Sequence, residues 1–75
     1  MTEGMLKSET QWLTQRMAVG PVRKGRRGWF VLGDRPPDGK PAPIIAHGSV
    51  DAAGVTVAAG VLAPDLRALL EEVAQ

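Results

Sequence analysis

The sequence has no cysteine and no tyrosine, a single histidine, and only three aromatic residues, Trp12, Trp29 and Phe30. The absence of cysteine excludes disulfide staples, thiolate zinc sites and cysteine nucleophiles together. With His47 the only imidazole, a metal site has too few nitrogen ligands, and no metal or other cofactor is expected. Long apolar runs are missing as well. The longest uncharged stretch, Ala52 to Pro64, is too short and too rich in alanine and glycine to span a bilayer, and the N-terminus lacks a basic start followed by an apolar core. The expectation is a soluble, cytoplasmic protein. No Walker-type loop or cofactor motif is present, so the chain reads as a non-enzyme.

At 75 residues the chain makes one small domain, 1–75, with residues 1–7 read as a loose lead-in. Chains near this size hide only about 60% of the surface exposed on unfolding. Few large apolar side chains can therefore remain in water unless a partner covers them.

The formal charge of +1 conceals a lopsided distribution. Residues 1–37 carry seven bases and three acids, whereas residues 38–75 carry two bases and five acids. Between Glu9 and Asp34 lie Arg16, Arg23, Lys24, Arg26 and Arg27 with no acid among them. Such a run makes a local positive field despite the near-neutral total.

Ser8 reads as an N-cap, with Gln11 three residues on and Glu9 in the first turn. Trp12, Leu13 and Met17 fall at helical spacing, and Gly20-Pro21 is a stop signal, which predicts a helix from about Glu9 to Val19. Val22 to Lys24 reads as a short first strand that turns through Gly25 and Gly28 into a second, Trp29 to Leu32. Asp34 to Pro43 holds four of the six prolines and an Asp38-Gly39 pair, and reads as a loop. Ile44 to Ala46 is a third strand broken by Gly48, Asp51 to Gly54 a turn, and Val55 to Ala58 a further strand, with Gly60 marking a bulge or the strand end. From Pro64 to about Ala74, Leu66, Leu69, Leu70 and Val73 recur at i, i+3, i+4 and i+7, which predicts a C-terminal helix. The expected fold class is α+β: a small two-layer domain with an N-terminal helix, a three- to four-stranded antiparallel sheet and a C-terminal helix.

The stretch Arg23 to Gly33 is the best functional candidate. Four cations in five positions, on a backbone freed by Gly25 and Gly28, suit close approach to phosphates. The plain alternative is a solvated hairpin tip. Gly25-Arg26-Arg27-Gly28 has the G-x-x-G spacing of the KH-domain loop, but that loop joins two helices and here strand follows, so the match implies nothing about function. Along Trp29 to Leu32, Trp29 and Val31 share one face and Phe30 and Leu32 the other. Trp29 is either part of the core or, at a strand's first position, a rim residue able to stack on a base. His47, Ser49 and Asp51 hold the residue types of a triad, but a polar turn accounts for them.

Two functional readings follow. In the leading one the chain is a non-enzymatic binding module in which Arg16, Arg23, Lys24, Arg26, Arg27 and Trp29 contact nucleic acid or a nucleoprotein surface. In the other it is a small inhibitor or adaptor of the sort encoded by phages and mobile elements, which occludes a larger protein. A homodimer through the C-terminal helix is compatible with both.

Overall fold

The computed structural model describes residues 10–74. They form an antiparallel sheet of β1 (Gln11–Trp12), β2 (Met17–Val19), β3 (Arg26–Leu32), β4 (Ile44–Asp51) and β5 (Gly54–Gly60), followed by α1 (Pro64–Ala74). Strand order in the sheet is the order in the sequence, β1-β2-β3-β4-β5. The α+β class and the C-terminal helix are as expected, and the sheet has five strands instead of three or four. The lead-in at 1–7, the Ser8 cap and Glu9 lie outside the described residues.

The expected helix from Glu9 to Val19 is corrected: residues 11–19 form the β1–β2 hairpin. Met17, Ala18 and Val19 are all fully buried. A helix lying on a sheet cannot bury three consecutive residues, because they spread around its circumference; a strand covered on both faces can. Thr14 shapes the connection, its Oγ1 accepting from the backbone N–H of Arg16 (3.0 Å) and Met17 (2.9 Å), while Leu13 N–H donates to Met17 O (2.8 Å). Such side-chain bonds offer the backbone an alternative to the helical ladder.

The β2–β3 connection differs in its details from the expected strand at Val22 to Lys24. Arg23 and Arg26 exchange two backbone hydrogen bonds, of 2.8 and 3.1 Å, around Lys24 (φ 56°) and Gly25 (φ 75°). Positive φ at both central residues defines a type I′ turn, whose twist matches that of the flanking strands. Gly28 is not part of the turn; it lies inside β3, where its carbonyl accepts from Gly20 N–H at 2.8 Å.

The proline-rich segment is a loop closed at its base by Gly33 N–H to Pro43 O, 2.7 Å. Within it Asp38 Oδ1 accepts from Lys40 N–H at 3.1 Å, and Gly39 has φ 84°. β4 and β5 join through Ala52 and Ala53, with Asp51 Oδ1 accepting from Ala53 N–H at 2.9 Å. The expected break at Gly48 does not occur, and β4 runs through it. β5 bulges between its pairings with His47 and Gly48 and ends at Gly60.

Alternation gives the sheet two faces. Met17, Val19, Trp29, Val31, Ala46 and Val50 point to one side and form the core with Leu70 of α1, itself fully buried. Leu66, Leu69 and Val73 pack against this cluster, so the leucine stripe of α1 is engaged within one chain. Ala18, Phe30, His47 and Ser49 belong to the opposite face. No helix among the described residues is long and apolar enough to cross a membrane.

Candidate nucleic-acid interface

The type I′ turn gathers four of the six expected contact residues. Arg23, Lys24, Arg26 and Arg27 fall within one hairpin tip, because the two-residue turn brings Arg23 directly opposite Arg26. Alternation then sends the side chains of β3 apart. Arg26 shares its face with Phe30, away from α1, and its Nε lies 3.8 Å from Asp51 Oδ2. Arg27 lies on the α1 side, where its Nη1 donates to Gln11 Oε1 at 3.5 Å. There it lines a small cavity with Val73 and Ala74 at the C-terminal end of α1, which carries the partial negative charge of the helix.

Arg16 stands apart from this group. It lies in the β1–β2 loop, where its carbonyl accepts from Leu32 N–H at 2.7 Å. That is the far end of β3 from Arg27, five residues or roughly 17 Å along the strand. Its guanidinium forms a 2.6 Å ion pair with Asp34.

Of the two alternatives for Trp29 the structure shows the core one, not a rim position from which it could stack on a base. It is the fourth residue of β3, not the first, and is 2% exposed. Its indole Nε1–H donates to Ser49 O at 3.0 Å, which satisfies the one polar group of the ring inside the core. Its cross-strand partner is Gly48, and a Cβ there would stand 2.9 Å from Trp29 Cζ2 and 2.0 Å from Thr56 O. The bare backbone of Gly48 makes room for the ring.

The aromatic surface lies on the opposite face. Through the ladder register, Trp12, Ala18, Phe30, His47 and Ala59 form one row across all five strands. The Trp12 and Phe30 rings meet edge to face, with centroids 5.7 Å apart and planes at 86°. They close over Ala18, which is fully buried although it points away from the core. Trp12 remains 54% exposed, and His47 is exposed beside Phe30. Toward the hairpin tip this row gives way to Gly28, Ser49 and Thr56, and then to Arg26 and Asp51; toward the other end lie Leu32 and Ile44.

His47, Ser49 and Asp51 are alternate residues of β4, not the polar turn expected for them. Asp51 is engaged by Arg26 and by Ala53 N–H. Among the described residues, no group of three or more histidine, aspartate or glutamate side chains is arranged to hold a metal.

The sequence reading missed the Trp12–Phe30–His47 row because it assigned Trp12 to a helix. The available signal was parity: Phe30 had to face away from Trp29, and a second aromatic was needed to cover it. The chain matches no protein-family model, and no curated protein or solved structure is detectably similar to it.

Proposed function

We propose that this chain is a non-enzymatic binding module that contacts nucleic acid, or the nucleic-acid part of a nucleoprotein surface, through the β2–β3 hairpin. The observation that carries this reading is the clustering of Arg23, Lys24, Arg26 and Arg27 at a single type I′ tip. Asp51 lies 3.8 Å from Arg26, a long contact that leaves the Arg26 side chain 65% exposed and open to a phosphate. Cations on a narrow, exposed turn can approach phosphates without burying backbone, and each phosphate they neutralise releases a counterion. Arg16, paired with Asp34 at the other end of β3, has a lesser part in this reading, and Trp29 supports the hairpin from the core without touching the ligand.

The test is the anisotropy of labelled oligonucleotides titrated with the protein at low and then physiological salt. Binding should weaken steeply with salt, and replacing Lys24 and Arg26 by glutamine should flatten the log–log slope by about 0.7 to 0.9 for each phosphate contact removed. Affinity indifferent to both salt and these substitutions rules the reading out.

A second reading, an inhibitor or adaptor that occludes a larger protein, is favoured by the exposure of Trp12 (54%), Ile44 (58%) and Ile45 (52%). Exposed aromatic and branched apolar side chains are the usual anchors of protein interfaces. In that case partner affinity depends on Trp12 and responds only mildly to salt.

A further inference from the structure

We infer that the sheet face opposite α1 seats an unpaired strand of nucleic acid, with bases stacked on Trp12 and Phe30 and phosphates running toward Arg26 and the hairpin tip. This rests on the nucleic-acid reading of the hairpin and names the form of the ligand. In a duplex the faces of the bases are covered by their neighbours; only unpaired bases can lie flat on an aromatic side chain.

The face changes character along β3. Trp12, Phe30 and His47 present ring surface at one level, and opposite residues on adjacent strands stand about 4.5 to 5.5 Å apart. One level nearer the tip, Gly28 has no side chain and is exposed, and it is flanked by the hydroxyls of Ser49 and Thr56. Arg26 follows, four residues from Phe30, roughly 13 Å along the strand. Ring surface, then a shallow polar step, then cations is the order that a strand needs when its bases are splayed on the sheet and its backbone is drawn to a positive end.

The charge decides between this occupant and a protein anchored on the same aromatics. Arg26 points to this face, and the nearby tip adds Arg23 and Lys24. Asp51 also lies on this face, 3.8 Å from the Arg26 guanidinium. The ring pair is also preorganised. Its edge-to-face contact over Ala18 holds Trp12 while leaving it half-exposed, so little rotamer freedom is lost when a base arrives.

The experiment titrates the full chain with a labelled mixed-sequence DNA oligonucleotide of about 12 nucleotides, within the site sizes usual for sheet-based single-strand binding, and with the same sequence as a duplex. The expected result is at least about tenfold tighter binding of the single strand, with quenching of Trp12 emission. Trp12→Leu should weaken single-strand binding by about 5- to 100-fold, and Trp12→Phe, which keeps a stacking ring, should restore most of it. Neither change should alter the salt slope, whereas Lys24→Gln should. Photo-crosslinking of the unsubstituted protein to a bromouridine-containing strand provides a second measurement if Trp12→Leu does not fold; it should label the peptides that carry Trp12, Phe30 or His47. Equal binding of duplex and single strand, with Trp12→Leu neutral or the crosslinks confined to the hairpin, overturns the inference and leaves the hairpin reading standing. Should neither form bind at low salt, both fall, and a protein becomes the occupant of the face.

Discussion

Trp29 and Gly48 face one another across β3 and β4, and the indole occupies the space that a side chain at position 48 would need. The largest side chain of the core is thus seated on the smallest residue of the neighbouring strand. Glycine in a strand weakens it by entropy, and here the ring that covers it compensates. Gly48→Ala should destabilise the fold by more than about 2 kcal/mol, because its methyl group also meets the Thr56 carbonyl in the backbone of β5. Urea denaturation followed by tryptophan fluorescence measures this. A loss below about 0.5 kcal/mol would mean that β5 can move aside freely.

The same logic applies to Leu70, the fully buried residue of α1. Leu70→Ala removes the side chain on which the helix closes the core and should cost about 2 to 5 kcal/mol. A chain of 75 residues has roughly 4 to 11 kcal/mol in all, so the loss takes a large share of it and, at about 4 to 8 °C per kcal/mol, should lower the melting temperature by about 10 °C or more. Far-UV circular dichroism will show it, and a native spectrum with an unchanged melting temperature would contradict the packing described.

At the hairpin tip, Lys24 holds φ 56°, a conformation that costs most side chains about 1 to 2 kcal/mol. Asparagine tolerates it better and favours type I′ turns. Lys24→Asn should raise stability by about 0.5 kcal/mol while removing a charge from the proposed site. At about 4 to 8 °C per kcal/mol for a domain of this size, that is a rise of a few degrees in Tm. Lowered nucleic-acid affinity in a more stable protein separates the role of the charge from that of the fold.

Arg16 and Asp34 form a 2.6 Å ion pair whose side chains are 59% and 87% exposed. Exposed pairs are screened by water and salt and contribute little. Asp34→Asn should therefore change stability by less than about 0.5 kcal/mol, and a larger, salt-dependent loss in thermal melts would show that the pair fastens the β1–β2 loop.

Ala18 separates Trp12 from Phe30 on the far side of the sheet. Ala18→Leu has no room beneath the rings and should cost about 1 to 3 kcal/mol while forcing them apart. The emission of Trp12 should shift to the red as the ring swings into water. An unshifted spectrum would mean that the pair rearranges without separating.

Much of this architecture was legible in the residues. Pro64 to Ala74 is stated locally: proline and aspartate at the start and a leucine stripe at helical spacing carry the signal without help from the rest of the chain. The alternation of Trp29 to Leu32 likewise assigned each residue to the correct face. What stayed hidden depends on tertiary contact. Met17-Ala18-Val19 is a strand because α1 covers one side and the Trp12 and Phe30 rings the other, and neither cover is visible from a ten-residue window. Gly48 looked like a breaker because its use is a vacancy filled from another strand. The cations of the hairpin were legible as a cluster, but which of them faces the aromatic row followed only from the register.

The consecutive order of the five strands also has a bearing on how the chain reaches this state. Every pairing joins neighbours in sequence, and the longest connection within the sheet is the proline-rich loop between β3 and β4. No strand waits for a distant one to arrive, so each hairpin can close on its own before α1 docks. Folding speed falls as the mean sequence separation of contacts rises, which places this domain toward the fast end for a sheet protein. The first residues to meet are expected around Lys24 and Gly25, where a two-residue turn already has the twist of the strands it joins.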